Sequence, residues 1–581
     1  MRGQNQFDVA ILGTGIAGTT LGAILARNGV RTLLIEHGTH PRFAIGESTV
    51  PETTFAFRLL AYRYGVPEIA NLSSHQRVRR HIGPTSGVKR NFSFVHHREG
   101  EEPRPQETNQ VATLSPPLGP DVHLYRQDVD AYMLSVAASY GAVVRQRTDI
   151  TDVAIDGSGV RLRSRQGETF EAQYVVDAGG IKSLLAQVFG LREDPPPMRT
   201  CSRSIYTHML GVLPFDACMA GKEEHGLPSP LSQGTLHHLF DGGWMWVIPF
   251  YNHRSSTNRL CSIGLNLDPR RHPKTEMSPE QELRTFIRQF PAIERQFERA
   301  SSFREWVSSD RSQFSSTRAV GDRYCLIPHA FAFVDPLFSS GLGIAMGAIN
   351  MIAHRLIQAG KDGDYSAARF APVEAQVRAN FKHFDRLVDC AYFTFAHYPL
   401  WNAFYRVWML GSIYGSSGQL ELMGRYFATR DPAVFSASED LPYAGIQCSG
   451  LPEYRALFGS ACAEVEAVRD GLRSVDEAAA RIHRLLDESG MWMPVLGARS
   501  IPELRHSGVW TLNRVASFTL WAQRESPDFV RRAFLKSLRT GDVLKLVAKE
   551  WAAELEASGG SIALMARDFV TGSNRDWERL V

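Results

Sequence analysis

The seven cysteines (Cys201, Cys218, Cys261, Cys325, Cys390, Cys448 and Cys462) are odd in number and no two share a CxxC spacing. Zinc knuckles and dithiol redox couples are thereby excluded, and the thiols are expected to be reduced. Charge of one sign is lacking too: 64 Lys and Arg face 61 Asp and Glu, without a long block of either. That balance implies neither a nucleic acid nor an anionic membrane as partner. No run of about 18 apolar residues is seen that would cross a bilayer. The first strand pattern begins by Phe7, which leaves no room for a signal peptide, so a cytoplasmic protein is expected. Repeats and low-complexity tracts are absent. His96-His97 and His237-His238 are adjacent pairs whose side chains diverge on a strand, so no metal-ligand spacing arises and no metal is expected.

What is present is enough apolar residue, 44% of 581, to bury a large core, and the length predicts two domains or more. Val9 to Leu12 reads as a strand, Thr19 to Ala26 has helical apolar spacing, and Arg31 to Ile35 reads as a second strand, giving a βαβ unit. Glu101 to Pro120, with five prolines, is predicted to be a loop or flap. Short strands recur over Val143 to Val176 and Leu236 to Leu267, which predicts a sheet layer inserted between cofactor segments. Beyond about Gly360 the pattern is helical, interrupted by a loop near Asp431 to Pro452, and Ser474 with Glu477 fits a capping box. The predicted division is a mixed core over 1–360 and a mainly helical domain over 361–581.

Gly13, Gly15 and Gly18, with Ile16 and Ala17 between them, form GxGxxG at a strand-to-helix turn. Missing side chains there permit a tight turn, close approach of a pyrophosphate and close helix packing. The helix N-terminus then faces the phosphates. Glu36 closes the second strand, about 20 residues on, where an acid accepts hydrogen bonds from ribose hydroxyls. NAD and FAD both satisfy this much.

Val175 to Leu184 (VVDAGGIKSL) and Arg323 to Met346, ending FAFVDPLFSSGLGIAM, resemble cofactor segments of the FAD monooxygenase superfamily. The resemblance implies an α/β fold, a glutathione-reductase-type FAD-binding Rossmann domain with an inserted β-sheet layer and a C-terminal helical domain. It makes Arg126, Asp177, Gly179, Asp335, Pro336, Gly341 and Leu342 cofactor contacts. Two departures stand out. Gly179-Gly180 replaces the Asp-Gly pair of self-reducing hydroxylases, which implies a separate flavin reductase as partner. Pro328-His329 replaces a Gly-Asp pair, and His329 reads either as a substitute ligand or as packing.

Gly243 to Pro249, GWMWVIP, resembles the WxWxIP motif of flavin-dependent halogenases. On a strand, the period of two puts Trp244, Trp246 and Ile248 on one face. Gly87 to His96 is similar to the family's lysine segment, which implies Lys89 as the catalytic group. The implied chemistry uses FADH2, O2 and chloride or bromide to make hypohalous acid, which an ammonium orients or traps; a guanidinium does neither job as well. Gly46, Glu47 and Ser48 resemble a loop beside the flavin, and the backbone amides of Ser340 and Gly341 are the implied halide site. Phe338 stands where tryptophan halogenases carry a glutamate, which implies an electron-rich aromatic or carrier-bound substrate. An ester from Asp335 to FAD remains open. An aromatic cluster from Tyr392 to Trp408 reads as packing or as a tunnel wall. Arg77, Arg79, Arg80 and Lys89 read as a basic patch for a carrier protein or as a solvated face. The rivals are an FAD hydroxylase or dehydrogenase of the same fold, with Lys89 an exposed strand-edge residue, and a flavin-binding carrier-protein partner without turnover.

Overall fold

The computed structural model of the chain describes residues 5–439, 445–496, 502–507, 512–534, 540–560 and 563. Its first sheet runs in the order Val320–Gly321, Tyr324–Leu326, Thr169–Asp177, Gln6–Leu12, Thr32–Ile35, Val143–Arg145. Gln6–Leu12 is parallel to both neighbours, with Val9 opposite Thr32 and Tyr174. Its apolar residues are buried on both faces, as a sheet covered by helices requires. The Ile16–Arg27 helix makes the first crossover. At the turn between them Gly13 has φ +102°, and a Cβ there would lie 2.6 Å from the Ala178 carbonyl oxygen, so only glycine fits.

A second sheet stands over the first, in the order Ser301–Ser302, Arg203–Leu210, Cys261–Leu267, Gly243–Pro249, Thr235–Phe240, Asn91–His96, Thr108–Ala112, His506–Ser507. Gly87–Lys89 and Asp121–His123 form a separate two-stranded ribbon. This layer holds the strands expected over Leu236 to Leu267, whereas those expected with them over Val143 to Val176 belong to the first sheet.

Four expectations are corrected. The predicted flap at 101–120 contains the Thr108–Ala112 strand, paired antiparallel with Asn91–His96. Its Thr, Asn and Gln are buried and paired by hydrogen bonds to distant groups such as Asn402 and Ser93, so the polarity that suggested a loop is satisfied internally. Leu337–Asp362 is long and apolar enough to cross a membrane, contrary to the expectation that no segment is, but 72% of its apolar window is buried within the protein. Residue 360 marks a change of structural type and not of core: one buried cluster runs from Phe7 to Ala533, and His506–Ser507 pairs with Thr108–Ala112. At Ser474 the hydroxyl accepts from the Glu477 amide, which caps that helix. The loop expected at 431–452 holds short helical turns at Pro432–Glu439 and Ile446–Cys448; 440–444 and 564–581 lie outside the described residues. The cysteines are free, four of them also packed among apolar neighbours in one core.

Candidate functional site

Between the two sheets lies a cavity of about 380 Å³. Its floor is the glycine turn, Gly15, Ile16, Ala17 and Gly18, with Gly179 and Gly180 beside it. One wall is Gly46, Glu47, Ser48 and Arg126, and another is Asp335, Pro336, Gly341 and Leu342. The predicted cofactor segments thus converge. Trp244, Trp246 and Ile248 face this cavity together, while Met245 and Val247 point into the opposite core, as strand alternation predicts.

Six predicted residues stand outside the lining. Gly13 shapes the turn. Glu36 is spent on the same turn: its carboxylate accepts from the Thr14 amide (3.1 Å), the Thr14 hydroxyl (2.9 Å) and the Gly38 amide. Although burial pushes its pKa up, Arg42 and these donors hold it down at about 2. Asp177 accepts from Gly179 N, Ser183 Oγ and Leu185 N, so it organises the Gly179-Gly180 turn and does not face the cavity. Ser340 donates its hydroxyl back to the Phe338 carbonyl. Pro249 and Lys89 lie just behind the wall.

Lys89 is fully buried, at 0% exposure, which removes the strand-edge alternative. Its Nζ donates to Ser48 Oγ (2.8 Å) and to the Thr49 carbonyl (2.6 Å) and sits 4.2 Å from the Phe92 ring centroid. Burial pulls its pKa down, and the opposing pull of Asp121, its partner across the ribbon, does not cancel that. Behind it the proton order is fixed. The Pro249 carbonyl can only accept, so His123 Nδ1 donates to it (2.9 Å) and His123 Nε2 must accept from Thr235 Oγ1 (2.9 Å). Thr235 then accepts from Ser48 (2.7 Å), and Ser48 from Lys89. Burial, with the Lys89 charge second, lowers His123 to about 3 and keeps it neutral. The GES loop, the WxWxIP strand and the lysine are therefore one hydrogen-bonded unit, a connection no local spacing reveals.

Asp335 is bound on both oxygens, by Trp244 Nε1 (3.2 Å), Leu337 N (3.0 Å), Tyr392 OH (2.9 Å) and Ser202 Oγ (2.9 Å). Burial nevertheless raises it to about 6. His329 does line the cavity, and burial and then Arg126 lower it to about 4. Arg42, Thr235, His237 and Phe333 also line it; the first three were missed because no motif marks them, and Phe333 although it lies within the FAFVDP segment.

A second cavity, about 100 Å³ and almost wholly apolar, lies on the other side of Lys89. Val50, Phe92, Thr113, Phe55 and Trp408 are in its wall. Trp408 stacks on Phe338 at 4.6 Å and 25°, so the position expected to carry a glutamate is filled by aromatic packing, with Phe338 held at φ +69°. Of the aromatic cluster, Trp408 alone touches this cavity among its described lining residues; the others pack. The one carboxylate in its wall is Glu52, whose Oε1 accepts from the Gln447 amide at 2.9 Å and whose pKa burial raises to about 7.

The expected basic patch does not form, because Arg77 is buried against Glu550 (2.7 Å) and Glu554 (2.8 Å) and Lys89 is internal. His97 Nε2 meets His238 Nδ1 while His96 bonds the Phe395 carbonyl. Among the described residues no three His, Cys, Asp or Glu are grouped to hold a metal.

The tryptophan halogenase family model matches residues 93–408. The chain is 45% identical over 536 residues to the monodechloroaminopyrrolnitrin halogenase PrnC of Pseudomonas fluorescens, covering 91% of this chain and 94% of that one. It is 42% identical to the tetracycline 7-halogenase of Kitasatospora aureofaciens, covering 90% and 93%. Among solved structures, halogenase PltM in complex with phloroglucinol and FAD superposes with a TM-score of 0.83 at 34% identity, over 87% of this chain and 100% of that one.

Proposed function

The chain belongs to the flavin-dependent halogenases of the tryptophan halogenase family, and from that premise we propose that Lys89 delivers hypohalous acid from the FAD cavity to an electron-rich aromatic in the adjoining apolar cavity. The observation that carries this reading is the place of Lys89: its ammonium touches Ser48 of one cavity wall and Phe92 of the other.

The residues present fit FAD. The glycine turn leaves room for a pyrophosphate at a helix start, and Arg42 on the wall has a buried Nε with no hydrogen-bond partner among the described residues, a donor suited to an anionic or hydroxyl-rich ligand. Reduced FAD, when bound, supplies the two electrons by which dioxygen and halide become hypohalous acid and water. The protein does the rest. Trp244 and Trp246, with ring centroids 5.8 Å apart, occupy the space beside the flavin site and exclude an organic substrate from it. The Gly341–Asp362 helix starts at the cavity without a side-chain cap, so its first amides, with those of Ser340, are free to hold halide. Lys89 then binds the acid through its Nζ protons, while Ser48 and Thr49 fix where Nζ points. Asp335, already bound by four donors, holds Trp244 in place and leaves FAD non-covalent. Gly179-Gly180 supports reduction by a separate flavin reductase, and we read the enzyme as cytoplasmic.

A free aromatic is favoured over a carrier-bound one. The two relatives covering about nine-tenths of the chain are named for monodechloroaminopyrrolnitrin and tetracycline, without a carrier protein in the name, whereas a 1H-pyrrole-2-carbonyl-[peptidyl-carrier protein] chlorinase is 26% identical over 67% of it. Of the four basic residues read as a carrier-protein patch, Arg77 and Lys89 are buried. Product analysis tests the function: enzyme, FADH2, oxygen and a panel of anilines and phenols should give halogenated product with chloride or bromide and none without. Oxygenated product alone would instead establish the hydroxylase.

A further inference from the structure

Glu52 lies where two cavities meet. It opens the buried Pro51–Tyr64 helix and lines both the apolar cavity beyond Lys89 and a smaller one of about 70 Å³ whose wall is mixed and the more polar of the two. Asn350, Gln376, Asn380, Gln419 and Ser438 line the polar one, and the Gln419 side-chain oxygen is buried with no partner among the described residues. The order through the molecule is thus flavin cavity, Lys89, apolar cavity, Glu52, polar cavity. A carboxylate that accepts from the Gln447 amide and is set in an apolar wall is costly unless a ligand meets it. The apolar cavity is on the scale that holds a single aromatic ring.

We propose that Glu52 is the acid/base group of the halogenation site, in place of the glutamate that Phe338 has displaced: it accepts a hydrogen bond, and then the proton, from an N–H or O–H substituent on the aromatic substrate. The inference rests on the halogenase reading of Lys89. As the ring carbon forms its bond to halogen, the halogen–oxygen bond breaks. The oxygen takes a proton from Lys89 and leaves as water, and the substituent proton passes to Glu52. The substrate is oxidised by two electrons and the halogen is reduced by two. The displaced ring hydrogen then leaves as a proton and one returns to the substituent through solvent, which restores the aromatic ring. Glu52 discharges its proton into the polar cavity and Lys89 regains one.

The groups facing Glu52 do not compete for this role. Cys448 and Tyr454 both register its charge, and burial raises both well above their usual values, so they stay protonated. On its own helix Arg58 and Arg63 are paired with Glu550 (3.3 Å) and Glu439 (2.8 Å). Glu52 must be ionised to accept and Lys89 protonated to donate, and burial brings both to about 7, so the halogenation rate should pass through a maximum near pH 7, its rising limb set by Glu52 and its falling limb by Lys89.

Glu52→Gln tests this, because the amide oxygen can still accept from the Gln447 N–H and FAD absorbance reports folding. The expected result is a loss of about 100-fold in kcat for halogenation, disappearance of the rising limb below pH 7 with the falling limb retained, and undiminished FADH2 oxidation with hypohalous acid escaping to a trap in solution. Halogenation at the wild-type rate with the wild-type pH profile would overturn the proposal. So would a parallel loss of hypohalous acid itself, which would place Glu52 on the flavin side. A wild-type enzyme that makes no hypohalous acid would instead contradict the halogenase reading, a separate failure.

Discussion

Lys89, Ser48, Thr235 and His123 act as one donor chain, because each hydroxyl has one proton and the Pro249 carbonyl fixes the direction in which all of them point. Thr235→Val removes a link of the chain while keeping the shape of this residue in the wall of the flavin cavity. It leaves His123 Nε2 buried and unpaired and frees the Ser48 hydroxyl to turn away from Lys89. A lost hydrogen bond of this kind is worth about 0.5–1.5 kcal/mol, so halogenation should fall up to roughly tenfold while FADH2 oxidation holds, measured as the ratio of halogenated product to flavin turned over. An unchanged ratio would show that the chain does not position Lys89. At this scale sequence was uneven. Lys89 was legible because its segment is a motif, and Gly13 because its turn is local. Glu52 was not, since its burial comes from a helix and a turn nearly 400 residues along the chain. Asp177 and Glu36 were placed on the right turns, but their carboxylates serve the protein's own amides.

At the scale of elements, the Gly243–Pro249 strand does two jobs by alternation, one face walling the cofactor cavity and the other filling the second core. Its partner strand Cys261–Leu267 leaves room for it: a Cβ on Gly264 would lie 2.1 Å from the Trp246 ring. Gly264→Ala should therefore push the indole into the flavin site, at a stability cost of about 1–3 kcal/mol, and weaken FAD retention. Thermal melts and flavin absorbance of the purified variant check both; an alanine variant with wild-type melting and flavin content would refute the packing account. The period of two made this strand readable in advance. Thr108–Ala112 was unreadable for the opposite reason, because its polar residues are paired by groups that only the tertiary fold supplies.

At the scale of the whole molecule, the helical C-terminal half is bound into the core that carries the site. Glu550 and Glu554 meet Arg58 and Arg77, all four almost fully buried. Removing one member of such a group strands the opposite charges, which costs about 3–5 kcal/mol, whereas an exposed pair is worth about 0–1 kcal/mol. Glu550→Ala should accordingly lower Tm markedly, and Asp149→Ala, which breaks an exposed pair with Arg165, should leave it nearly unchanged. Composition predicted size, helical content and a second sheet, but not that the two halves share one core, since a continuous core is a property of packing and leaves no periodic trace in the chain. The account's central claim is that Lys89 passes the halogen from the flavin cavity to the substrate cavity. The most direct measurement is single-turnover product analysis of Lys89→Ala loaded with FADH2 in the presence of oxygen, bromide and an electron-rich aniline: flavin should reoxidise at close to the wild-type rate with brominated product lost, and bromination at the wild-type rate would contradict the claim.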